Sequence, residues 1–144
     1  MLQELDLDLG RVHFFGTVEQ SLVVRLLQMS TVHLFLTYPF LISWSVLEAL
    51  ACGCVVLASD TGPAQEIIRD GENGFLVDFF DYSRFAELAC QVLDNPTRFE
   101  SVRKAARQTV LDHFDATKNM IRQIDLLYAV ASGSELAPEE IVAI

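Results

Sequence analysis

Four short apolar runs, VHFF (12–15), VHLFL (32–36), VVLA (55–58) and FLV (75–77), punctuate the first half of the chain. Runs of this length bounded by turn residues read as strands. Between them lie helical patterns. Leu22, Val23, Leu26, Leu27 and Met29 recur at helical spacing after Thr17, which with Gln20 has capping-box spacing. A second helix runs from Ser43 or Ser45 to Cys52, where Gly53 stops it. A third, short helix spans 64–69, with Pro63 suited to a first turn. The order strand, helix, strand, helix, strand, short helix, strand implies a parallel α/β sheet with right-handed crossovers. The 32–36 run reads as a strand buried on both faces. Three more helical stretches follow, about 82–94, 96–113 and 116–131, and SGSELAPEE (132–140) is expected to fray.

The length, 144 residues, suits one ordinary domain, with 51% hydrophobic and 21% charged residues. A net charge of −10 argues against nucleic acid and anionic membrane as partners, because both require basic surface. No apolar run approaches the ~20 residues of a membrane helix. The acidic start, MLQELDLDLG, is not a secretory signal. Three cysteines, Cys52, Cys54 and Cys90, fit a reducing, cytoplasmic setting. Cys52 and Cys54 sit among apolar residues with no second pair at ligand spacing, so they read as structural thiols and no metal site is expected. His13, His33 and His113 likewise lack ligand spacing.

One residue breaks the apolar pattern. Glu48 stands within SWSVLEALACGCVVLASDTG (43–62), between Leu47 and the Ala49-Leu50-Ala51 run. A buried carboxylate is costly unless something binds it. In parallel sheets, ligands sit outside the carboxyl ends of the strands. That places Gly16-Thr17, residues 37–45 and residues 59–65 at the ligand end, with Glu48 just beyond the second loop. A carboxylate near a helix N-terminus can accept two ribose hydroxyls while the N-terminus holds a phosphate. The local alternative is a capping box, since Ser45 and Glu48 have S-x-x-E spacing. Neither GxGxxG nor GxxxxGK[ST] occurs.

RVHFFGTV (11–18), LEALACGCVVLASDTGPAQEII (47–68), DGENGFLVDFFD (70–81) and FESVRKAARQTVLDHFD (99–115) follow one another in a familiar order. Together they resemble the carboxyl-terminal, donor-binding part of GT-B glycosyltransferases of family 4, the retaining group that uses nucleotide sugars. The most specific part is E-A-x-A-x-G, a strand, then S-D-x-G-x-x-x-E-I-I. The resemblance implies a Rossmann-like parallel sheet of about four strands with flanking helices. Residues 1–115 would form a partial nucleotide-sugar-binding domain, and 116–144 a C-terminal helix and tail. It further implies that Glu48 binds the ribose hydroxyls of a UDP-, GDP- or ADP-linked sugar. Ile42, Ser43 and Trp44 would offer backbone N–H groups to the diphosphate and sugar, and Gly16 and Thr17 would lie near the nucleotide. For Trp44, core packing is the alternative. No cofactor and no catalytic side chain is implied within the chain. Glu66 matches a family glutamate and is either a helix-face charge or near the ligand. Arg103, Lys104 and Arg107 read as a solvated helix face.

The sequence departs from the family in three ways. Phe40 stands where the family has a first glutamate, and Ser43 stands in place of a glycine. Both fall within YPFLISWS (38–45), similar to a branch of the family that carries Y-P-F and S-W-S. Two βα units that usually begin this domain are absent, with their phosphate-neutralising Arg and Lys, as is the amino-terminal acceptor domain. In the usual strand order, the absent strands would lie between 12–15 and 32–36, so the sheet is expected to close that gap, leave an open edge that favours self-association, or borrow strands from another copy. The expectation is a donor-binding fragment of a retaining glycosyltransferase, inactive alone. The alternative is a non-catalytic nucleotide-binding or self-association module.

Overall fold

The most apolar segment of the chain becomes the centre of the sheet. The computed structural model describes residues 8–38 and 41–133. Strand β2 (Val55–Ser59) lies between β1 (Val32–Phe35) and β3 (Phe75–Val77), parallel to both. Val32 aligns with Val55 and Leu57 with Phe75. All five residues of β2 are buried, as expected for a strand covered on both faces.

Alternation along β2 divides the core in two. Val56 and Ala58 join Val46, Ala49 and Leu50 of helix α2 (Trp44–Ala51) on one face. Val55 and Leu57 meet Phe85, Leu88 and Val92 of helix α4 (Tyr82–Asp94) on the other. Helix α5 (Glu100–His113) supplies Val102 to one cluster and Ala106 to the other. Helix α1 (Gln20–Met29) and the short α3 (Gly62–Gln65) complete the covering. Helix α6 (Ala116–Ala131) follows α5 after Asp115, whose carboxylate caps its first N–H groups.

The sheet has three strands among the described residues, not about four. The run at 12–15 is not a strand. It lies extended with Phe14 76% exposed and Phe15 54% exposed. A strand needs a neighbour for its N–H and C=O groups, and no described strand lies beside this one. For the same reason β1 is an edge strand and not buried on both faces; Leu34 is 47% exposed. Burial holds His33 on this strand toward its neutral form.

Smaller differences concern helix ends. Helix α1 starts at Gln20 with Glu19 as N-cap and no side-chain cap bond, so the Thr17–Gln20 capping box does not form. The third helix occupies Gly62–Gln65 instead of 64–69, keeping Pro63 in its first turn. A 3-10 turn, Pro96–Phe99, precedes α5. The Gly53 stop is realised in full. Gly53 adopts φ +73°, its N–H bonds to the Leu50 carbonyl, and the Cys54 N–H bonds to that of Ala49. This is a Schellman motif, with glycine where the left-handed backbone requires it. Of the stretch expected to fray, Ser132 and Gly133 close α6 with backbone bonds to Tyr128 and Val130, and the rest lies outside the described residues.

Candidate functional site

Helix α2 carries the residues of interest, and its first turn is capped by Ser43. The Ser43 Oγ accepts from the Ser45 backbone N–H at 3.2 Å and from the Ser45 hydroxyl at 3.0 Å. Its carbonyl takes the Val46 N–H. Ser43 itself has φ −80° and ψ 144°, extended backbone open to any residue. The loss of the family's glycine therefore costs no strain here, and the serine supplies the cap. At the first helical position, the Trp44 N–H has no intrahelical acceptor.

Glu48 takes no part in this cap. It sits in the second turn, half-buried, and its Oε1 accepts from Gln20 Nε2 at 2.6 Å. This removes the Ser45–Glu48 capping box that local spacing allowed. Gln20 opens helix α1, three residues after Thr17. The contact therefore ties the segment that follows Gly16 and Thr17 to α2, and the two regions meet through a residue that sequence reasoning assigned to a cap. Gly16 has φ +62° and, like Thr17, is exposed.

Trp44, Leu47, Glu48 and Ala51 form one face of α2 and wall a groove of about 540 Å³. Phe114 at the end of α5 and Met120 of α6 lie opposite. Trp44 is 79% exposed, so it is not a core residue. The Ile42 side chain turns the other way and packs against the main core cluster. The groove runs along the outer face of α2, between it and the α5–α6 junction, and it is apolar with few polar groups, the make-up of a small-molecule site. Position 40, where Phe40 replaces the family glutamate, lies outside the described residues.

The remaining loops at this end are tied together. The Thr37 N–H donates to Ser59 Oγ at 3.0 Å, and the Tyr38 and Phe79 rings meet edge-on at 5.7 Å. Residues following β1 and β3 thus meet across the end of β2. Asp60 accepts from Gln65 Nε2 at 2.7 Å. Glu66 is exposed at the C-cap of α3.

The basic residues of α5 do something that composition alone did not show. Arg103 Nε donates to the Gly53 carbonyl at 2.6 Å, and Arg107 to that of Ala51. They satisfy the carbonyl end of α2 and fix its axis. Arg103 is half-buried, whereas Arg107 stays exposed while making its bond and Lys104 pairs at the surface with Glu100. The i, i+4 spacing of Arg103 and Arg107 places both on one face of α5 but does not say what that face meets.

A small parallel sheet with helices on both faces, and loops gathered at its carboxyl end, defines a Rossmann-like α/β class of domain. The sequence profile of the glycosyl transferases group 1 matches residues 2–109. The chain belongs to this family. It is 30% identical over 118 residues to N-acetyl-alpha-D-glucosaminyl L-malate synthase of Bacillus anthracis, covering 82% of this chain and 30% of that protein. Among solved structures it resembles sucrose-phosphate synthase from Thermosynechococcus elongatus, with a TM-score of 0.85 and 25% identity, over 92% of this chain and 33% of that one. The fold also matches Anabaena HepE in complex with UDP-glucose, at TM-score 0.80 and 21% identity, over 89% and 35%. The chain therefore spans about a third of the length of these relatives. Among the described residues no helix is long and apolar enough to cross a membrane.

Proposed function

We propose that the chain is the donor-binding part of a retaining, family 4 glycosyltransferase, holding a nucleoside diphosphate sugar at the start of α2. The observation that carries this reading is that Glu48 is excused from capping. Ser43 caps the helix, and Glu48 lines the groove with its carboxylate held by a single neutral donor, Gln20. Such a carboxylate suits a ribose, whose adjacent hydroxyls both donate. The Trp44 N–H and the helix dipole favour the diphosphate. HepE, which shares this fold, binds UDP-glucose.

In the proposed reaction, the bond from the anomeric carbon to the diphosphate breaks and a bond to an acceptor hydroxyl forms. The acceptor proton leaves with the diphosphate. The chain contributes by orienting the donor and stabilising charge on the leaving group. Acceptor binding falls to a further domain, and the working setting is the reducing cytoplasm.

A second reading, a self-associating module, has its own observation. Phe14, Phe15 and Leu34 are exposed, and β1 has an open edge. Light scattering at increasing concentration tests it directly, since a strictly monomeric chain excludes it.

The donor reading is tested by calorimetric titration with UDP, GDP and ADP, alongside Glu48→Ala. Binding of one nucleotide that the variant loses, with its fold intact, is the expected result. No binding of any of the three by the folded chain would overturn it.

A further inference from the structure

Resting on the donor-binding reading, we infer that Gln20 is a positioning residue that holds Glu48 in the orientation needed to accept a pair of ribose hydroxyls. Gln20 has no duty in its own helix, because Glu19 is the N-cap of α1 and no side-chain cap bond forms there. Its amide instead reaches 28 residues along the chain to the Glu48 carboxylate at 2.6 Å.

The chemistry of the pair suits this task. A flexible glutamate in an open groove samples several rotamers, and one charge-assisted hydrogen bond selects among them. An arginine or lysine would orient the carboxylate too, but would also compensate its charge and compete with a ligand's donors. A neutral amide keeps the negative charge available. A carboxylate has about four lone-pair sites, of which Gln20 uses one, so two hydroxyls can still be accepted. Among the described residues no ion pair involves Glu48. The Gln20 contact also couples the segment after Gly16-Thr17 to α2, so that a ligand touching both meets a pre-set arrangement.

The experiment compares the wild-type chain, Gln20→Ala, Gln20→Glu and Glu48→Ala by titration with UDP, GDP and ADP and with their 2′-deoxy counterparts. Gln20 is exposed, so Gln20→Ala should fold, and circular dichroism with thermal melting verifies this. The expected result is a loss of roughly three- to tenfold in affinity for the ribonucleotide in Gln20→Ala, with little change for the 2′-deoxy form. Gln20→Glu, which faces one carboxylate with another, should lose more. Equal weakening of both nucleotides would assign Gln20 a role in shaping the loop and overturn the inference, as would wild-type affinity in Gln20→Ala. If the wild-type chain binds none of the ribonucleotides, or Glu48→Ala binds as well as wild type, the donor reading falls and this inference falls with it.

Discussion

Arg103 Nε lies 2.6 Å from the carbonyl oxygen of Gly53, so a side chain of α5 closes the C-terminal end of the helix whose N-terminus faces the candidate site. Gly53 is buried, and this oxygen has little access to water. Arg103→Ala should leave it unsatisfied and destabilise the fold by about 1–3 kcal/mol. The lost stem packing adds to the effect. Urea unfolding measures this. Lys104→Ala, which removes only a surface pair, should leave the midpoint almost where it was.

Asn73 is fully buried, and every polar atom of its side chain is used. Nδ2 donates to the Ile67 carbonyl at 3.0 Å and to Thr109 Oγ1 at 2.9 Å, while Oδ1 accepts from the Arg69 N–H at 2.7 Å. It pins the turn before β3 to α5. Asn73→Ala should cost about 2–3 kcal/mol, because it orphans buried partners as well as losing bonds. Thr109→Val should cost less. Chemical denaturation of both variants ranks them.

The two serines at the start of α2 are predicted to differ. Ser43→Ala removes the N-cap and should destabilise by about 1 kcal/mol, whereas Ser43→Gly should cost only a few tenths. Ser45→Ala removes a hydroxyl that donates to Ser43 and should cost less than Ser43→Ala. A larger effect at Ser45 would restore the capping-box assignment. Thermal melts of the three variants settle the ranking.

Burial pushes the Cys54 thiol up to about 11, and its Sγ donates to the Leu27 carbonyl at 2.9 Å. The folded state therefore keeps this proton when the unfolded chain, near its ordinary value of 9.0, has released it. The resulting stability is complete below about pH 9 and should fall as pH rises toward 11. Cys54→Ala should flatten that slope in denaturation measured between these values. In native protein a thiol reagent should modify exposed Cys90 first and Cys54 only on unfolding.

Local chemistry was enough to read much of this molecule. The VVLA run, the stop at Gly53 and the Pro63 first turn each depend on a few adjacent residues, and all appear where their pattern placed them. Glu48 was conspicuous because a carboxylate among apolar residues breaks a pattern visible within one helix. The run at 12–15 failed for the opposite reason. Its composition suits a strand, but a strand is a property of a pair, and no neighbour lies beside it among the described residues.

The sequence by itself determined the parallel α/β class, the family signature and the helix that carries Glu48, because periodicity and capping act over one or two turns. Only the tertiary structure decided what Glu48 touches. Gln20 meets it across 28 residues, and Arg103 reaches Gly53 across 50. Such contacts arise from how helices pack on β2, and no local spacing encodes them.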